Sequence, residues 1–263
     1  MTTRTWVGGG NDQASNPADW SPAGAPQPGD ALVMDSGTIN VAGNALAGDR
    51  LSLDKNGATY TINVSGNTPM NWGAQYGDTV TVNLAAHSKW VGGFGSGPGD
   101  QVTIAGPGRF ANQNSVVNGT AVIDADVTGT GSFTNFEAHS SGKLEFVRSV
   151  AATQSVATSG YQTYGGQFGV VQVDDPQHYH AATTLGFGEI VLKGLSATSY
   201  SLQNDMLTLF DGDTAIDHVR LTLGAVNGFG PQDFGVSQTG AGVVVHADGA
   251  SYKDGGTLLP LHA

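Results

Sequence analysis

Nineteen of the 22 acidic residues in this sequence are aspartates, and two of them, Asp124 and Asp126, are spaced for chemistry. In Ile123-Asp124-Ala125-Asp126 they stand two apart on a β-type segment, so both project from one strand face, as a paired-carboxylate site requires. Such a pair in a groove is the working set of a polysaccharide hydrolase, and a lyase would need calcium with an arginine. The same two residues also read as outward or turn aspartates. Asp211-Gly212-Asp213 with Asp217 gathers hard oxygens of the kind calcium takes, although Asp-Gly-Asp is an ordinary turn as well. Gly92-Gly93-Phe94-Gly95-Ser96-Gly97 opens like the nonapeptide of calcium-binding β-rolls, but Gly97 stands where that repeat needs Asp, and the motif occurs once. Asp174-Asp175-Pro176-Gln177-His178-Tyr179-His180 offers two carboxylates and a His-x-His pair, a zinc or transition-metal set or else a turn followed by a polar loop. Trp72, Tyr76 and Trp90, with Trp6, Trp20 and Phe94, concentrate flat rings in the N-terminal third, where they could stack on sugar rings or anchor caps and loops.

Composition narrows these options. Asp and Glu outnumber Lys and Arg by 22 to 10, for a net charge of −12. Nucleic acid is therefore not an expected partner, since phosphate binding needs clustered cations. Cysteine is absent, which removes disulfide and thiol chemistry. No run of about eighteen apolar residues occurs, so no transmembrane segment is expected. Met1 to Gly10 has no apolar leader core, which leaves a chain that stays inside, a signal already removed, or an uncleaved signal elsewhere. No cofactor is expected, with calcium the one candidate.

The elements that must position these residues recur at a fixed interval. Thr79-Val80-Thr81-Val82, Gln101-Val102-Thr103-Ile104, Ala121-Val122-Ile123, Lys143-Leu144-Glu145-Phe146, Val170-Val171-Gln172-Val173 and Glu189-Ile190-Val191-Leu192 are alike, and their lead residues 80, 102, 122, 144, 171 and 191 are separated by 22, 20, 22, 27 and 20. A period of this size is the signature of a solenoid, whose turns bury their apolar sides only against one another. The interval accommodates about three short strands per turn, the geometry of an all-β parallel β-helix, or β-solenoid. The Leu and Asn ladder of leucine-rich repeats is missing. The 40 glycines agree with tight turns between strands. Residues 1–30, rich in Pro and carrying two Trp, are expected to cap the N-terminal end, residues 31–195 to form the coiled body, and residues 196–263, with longer strands and hairpin turns, to close the other end. The glycine-rich stretch Trp90 to Asp100 reads as a long turn, and a loop is expected near 161–169. Insertions in solenoids collect on one face, often a binding face.

Two stretches resemble a known family. Trp6, Gly8-Gly9, Asn11-Asp12, Asn16, Asp19-Trp20-Ser21-Pro22, Gly24, Pro26 and Pro28-Gly29-Asp30 resemble the start of secreted bacterial β-helix proteins of the autotransporter-passenger and large-exoprotein type. Gly142 to Phe146, Val173 to Pro176, Gly188 to Leu195 and Phe234 to Val243 are similar to the segment preceding the last strands of such proteins. The two stretches cover over half the chain. The resemblance implies a single-stranded right-handed parallel β-helix with capped ends, in a secreted or cell-surface setting. It also implies an adhesin-like structural role in the bacterial surface, extracellular matrix or biofilm. The family's Gly-Asp-x-Ile-Asp-Leu reads Gly188-Glu189-Ile190-Val191-Leu192 here, and its membrane-spanning barrel is missing, so the chain resembles a short relative exported by another route. Because open strand ladders at the ends of a β-helix recruit another copy unless covered, the expected partner is a second copy stacked head to tail into a filament, with surface or matrix polysaccharide another. The alternative expectation is a polysaccharide-binding or polysaccharide-degrading protein.

Overall fold

Strict two-residue alternation builds the body. In Thr79–Leu84 the side chains of Val80, Val82 and Leu84 are buried while Thr79, Thr81 and Asn83 face outward; Tyr60, Ile62 and Val64 do the same in Thr59–Ser65. A computed structural model describes residues 2–46, 48–137, 142–160, 169–186, 188–224, 234–247 and 257–262. The chain is nearly all β and coils into a β-solenoid of about six turns. Its first face stacks Gly37–Ala42, Thr59–Ser65, Thr79–Leu84, Gln101–Asn112, Thr120–Thr128, Lys143–Phe146, Gly169–Val173 and Gly188–Lys193, each parallel to the next. A short second face is made by Asn67–Pro69, Lys89–Gly92 and the ends of Gln101–Asn112 and Thr120–Thr128. The third face runs from Thr3–Trp6 through Ala31–Met34, Arg50–Leu53, Asn71–Gly73, Phe94–Gly95, Asn114–Val117, Ser132–Glu137 and Ser155–Gly160 to Ala182–Leu185. No helix among the described residues is long and apolar enough to cross a membrane. The loop expected near 161–169 lies, except for Gly169, outside the described residues.

The period read from the sequence needs two corrections of one residue. Val102 pairs with Ala121 rather than Val122, and Val171 pairs with Ile190 rather than Val191. A one-residue slip would turn every apolar side chain of the strand outward, so burial of Ala121, Ile123, Ile190 and Leu192 fixes the register.

Inside the coils, aromatic rings form a line along the axis. Trp72 stacks on Phe94 at 5.0 Å, Trp90 on Phe110 at 4.2 Å, and edge-to-face or tilted contacts continue through Phe133 and Phe146 to Tyr179. Each such pair contributes about 0.5–1.5 kcal/mol beyond the area it buries. A buried polar knot sits beside this line. Asn112 donates to the Gln154 side chain at 2.8 Å and accepts from Ser115 Oγ at 2.7 Å, while Gln154 donates to the carbonyls of Thr128 and Asn112.

Many aspartates belong to the corners. In Gly29-Asp30, Gly48-Asp49, Gly77-Asp78 and Gly99-Asp100 the glycine has a positive φ and a strand follows at once. Asp78 Oδ1 accepts from Ala58 N of the coil before at 3.0 Å, and its Oδ2 accepts from Gln75 N at 3.2 Å. Asp100 repeats this with Asp78 N at 2.8 Å and Gly97 N at 2.6 Å. Each carboxylate thus closes its own turn and ties it to the preceding coil. Burial pushes the Asp100 carboxyl above its ordinary value, against the pull of its backbone N–H donors.

Both ends depart from the parallel pattern. At the first end, Trp20–Ser21 adds antiparallel to Thr3–Trp6, the rings of Trp6 and Trp20 meet edge to face at 5.1 Å, and Ala14 N and Asp12 O bond to Asn40 on the first-face edge. At the other end, Gly242–Ala247 and then Phe234–Gln238 add antiparallel to Gly188–Lys193. The third face continues into Thr214–Leu223, which folds back on Met206–Asp211 and Ser199–Gln203. One terminal segment covers both outer strands: Thr257–Leu258 pairs with Ser237 and Gln238, and Tyr200 exchanges backbone bonds with Pro260 and His262 at 3.1 and 2.7 Å.

Asp78→Ala is expected to lower unfolding free energy by ~2–3 kcal/mol, since two N–H groups lose a charged acceptor, and Gly99→Ala by ~1 kcal/mol through its positive φ. Denaturant titration measures both. Removing residues 257–263 is expected to uncover two strand edges and raise the association state in sedimentation velocity at matched concentration.

Candidate functional site

The candidate catalytic carboxylates point outward together but are already engaged. Asp124 accepts from Arg148 Nε at 2.7 Å, both side chains being about two-fifths exposed (41% and 42%). Asp126 accepts from Ser149 Oγ at 2.7 Å. Across the preceding coil Asp124 faces Ala105 and Asp126 faces Arg109, with Gly106 to Gly108 unpaired between them. Each carboxylate is therefore tied to the coil above it.

The candidate calcium set does not converge. Asp211 and Asp213 are exposed at the hairpin joining Met206–Asp211 to Thr214–Leu223, whereas Asp217 is buried. Among the described residues no group of three or more His, Asp or Glu is placed to hold a metal ion. The acids and histidines near Pro176 are likewise dispersed. Asp174 pairs with Lys193 at 2.5 Å and accepts from Gln172, while Asp175 meets His178 Nδ1 at 2.8 Å beside the single turn Pro176–His178. Burial pushes the Asp174 carboxyl up, but Lys193 and Gln172 outweigh it and leave it below its ordinary value.

The candidate sugar platform is divided between core and surface. Trp72 and Trp90 are 1% and 0% exposed, so neither indole presents a face to a ligand. Trp90 Nε1 donates to Met70 O at 2.8 Å inside the coils. Tyr76 is 58% exposed in the turn after Asn71–Gly73.

What the outer surface does present is a groove of about 640 Å³ along the first face and its following corner. Its wall is an amide ladder. Asn63 Nδ2 donates to Asn40 Oδ1, and Asn83 Nδ2 to Asn63 Oδ1, each at 2.8 Å. Gln13 lines one end, while Ala105, Gly106 and Pro107 close the other, so the lining carries no charged side chain. The alternation that sends Ile39, Val41, Ile62, Val64, Val82 and Leu84 inward sends these three asparagines outward. The ladder has a signal in the sequence: Ile-Asn-Val, Ile-Asn-Val and Val-Asn-Leu recur at the coil interval, at residues 39–41, 62–64 and 82–84. At Ala105 the fourth coil has no amide to continue it.

No protein-family model matches the chain, and comparison with curated proteins and with solved structures finds no match either. The likeness to autotransporter passengers accordingly rests on the sequence motifs alone, while the β-solenoid itself stands on the strand pairing.

Asp217 yields a pH test. Burial pushes its carboxyl above the ordinary value, partly offset by the backbone N–H of His218 and by the side chains of His218 and His180, and its Oδ2 is buried with no partner among the described residues. The folded chain then holds this proton more tightly than the unfolded chain, so the ionised form costs stability at neutral pH and the cost is relieved as the pH falls through the raised value. Asp217→Asn is expected to raise the Tm at pH 7 and to narrow the difference between variant and parent at pH 4. An equal loss of Tm at both pH values would contradict this.

Proposed function

We propose that this chain is a secreted, adhesin-like structural protein of the bacterial surface or extracellular matrix that holds neutral polysaccharide along its first face. The observation that carries the reading is the Asn40, Asn63 and Asn83 ladder in an uncharged groove. An amide both donates and accepts, which matches the hydroxyl groups of a sugar. Each link of the ladder uses one N–H of two, so among the described residues a second N–H remains on Asn63 and Asn83, and Asn83 Oδ1 has no partner. Neighbouring coils place these groups about 4.8 Å apart on a rigid sheet, a preorganised row for an extended chain. The lining has no group that titrates, so the reading is of binding without catalysis. The secreted setting is supported by the motif likeness at both ends of the chain.

Head-to-tail association is the second reading, favoured by exposed apolar side chains at opposite ends: Val7 at 57%, against Leu258 and Leu261 at 64% and 68%. With covering segments on the outer strands, side-chain contact rather than strand addition would drive it.

A glycan array followed by calorimetry tests the first reading. Neutral oligosaccharides are expected to bind, and Asn83→Ala to weaken binding about fivefold, roughly the worth of one hydrogen bond. Silence across neutral glycans would sink it. Electron microscopy over a range of concentrations tests the second, and uniform single particles throughout would exclude filaments.

A further inference from the structure

A second cavity, of about 400 Å³, opens on the outer surface of the third face. Alternation along Arg50–Leu53, Asn71–Gly73, Phe94–Gly95 and Asn114–Val117 creates two outward rows. One carries Arg50, Asn71 and Asn114, and the other carries Ser52, Gly73, Gly95 and Val116. The two glycines leave the second row bare, and Arg50 reaches across into the space. A methyl group at Gly73 would collide with Arg50 Nη2, and one at Gly95 would lie 3.9 Å from it.

The polar groups around this cavity are donors. The Arg50 side chain is exposed and makes neither a hydrogen bond nor an ion pair with any described residue. Asn71 accepts from Gly93 N through Oδ1 at 2.9 Å, Asn114 accepts from Ser132 Oγ through Oδ1 at 2.9 Å, and neither NH2 group has a partner among the described residues. The one lining carboxylate, Asp49, is 6% exposed and holds Gly29 N at 2.7 Å. In a chain of net charge −12, an arginine with no acid partner, laid on a glycine floor beside two free amide donors, lacks only an acceptor.

From this arrangement we infer that the third face binds the carboxylate of an acidic sugar, a uronate residue, with Arg50 as the clamp. A guanidinium presents a planar fork that fits a carboxylate bidentately, and Asn71 and Asn114 donate to oxygens flanking it. Asp49 close by disfavours a dianion and so favours a monoanionic carboxylate over phosphate. The volume falls within the range of small-ligand sites. Val116, 46% exposed, gives the sugar ring an apolar edge to rest on. The site lies on a different face from the amide groove and stands or falls without it.

Calorimetric titration at low salt with a galacturonate trimer and with a neutral galactose trimer tests the inference. The charged trimer is expected to bind at least tenfold tighter and to weaken as salt is added. Arg50→Ala is expected to lose tenfold or more and Arg50→Lys to retain part of the affinity. Asn114→Asp keeps the acceptor for Ser132 but replaces a free donor with negative charge, and is expected to lose tenfold with an unchanged Tm. Equal binding of the two trimers, no binding of the charged one, undiminished binding by Arg50→Ala or Asn114→Asp, or equal binding of inorganic phosphate would each overturn it.

Discussion

Parallel stacking in register is the constraint on which this molecule depends. Most strands of the body are hydrogen-bonded on both sides to strands of the neighbouring coils, about 4.8 Å away, so most side chains sit above and below their own equivalents. Inward equivalents can pack as like on like, as Trp72 does with Phe94 and Trp90 with Phe110, and contacts between different faces carry the aromatic line on through Phe133 and Phe146 to Tyr179. Corner equivalents must tolerate stacking too. At Asp78 and Asp100 the accumulated negative charge is absorbed by backbone N–H groups, each carboxylate taking one from its own turn and one from the coil before. The cost shows in the raised pKa of Asp100.

The same constraint separates the inert surface from the surface open to ligands. Where a polar ladder runs on, its members satisfy one another. Lys143, Glu145, Gln172, Asp174 and Lys193 form one such connected surface network on the later coils, and Asp124 and Asp126 are held by Arg148 and Ser149. Where a ladder is interrupted, polar groups remain without a lateral partner. Ala105 ends the row of asparagines, and Gly73 with Gly95 empties a row beside Arg50. Both proposed binding sites lie at such interruptions, which are set by small residues.

The ends follow a different rule. A parallel stack exposes unpaired strand edges at both ends. This chain covers both ends of its third face and the last end of its first face with antiparallel strands, and the first edge of its first face with a single parallel bridge from Gln13 to Asn40. Residues 257–262 reach both final sheets, so a few backbone bonds at the C-terminal segment protect two edges at once. The proposed head-to-tail association would therefore use side-chain contact rather than strand addition.

The sequence by itself determined the coil. Apolar residues at alternate positions, glycine and aspartate at the turns and an interval near twenty residues allow few arrangements other than a β-solenoid, because each is a local property repeated. It placed the first-face strands from Thr79 to Leu192 within one residue and left the register of Val122 and Val191 to burial of Ala121, Ile123, Ile190 and Leu192, whereas the stretch Trp90 to Asp100, read as a long turn, holds the strand ends of Lys89–Gly92 and Phe94–Gly95. It could also show that Asn40, Asn63 and Asn83 share a position, through the recurring apolar-Asn-apolar triplet. Only the tertiary structure decided which side of the wall a residue occupies and whether its partner is already in place. Trp72 and Trp90 became core, Asp211 and Asp213 parted from Asp217, Asn112 met Gln154 two coils away, and Arg50 was left without an acid. These outcomes depend on what the adjacent coil puts at the same height, and that is a relation between distant parts of the chain which no local pattern contains.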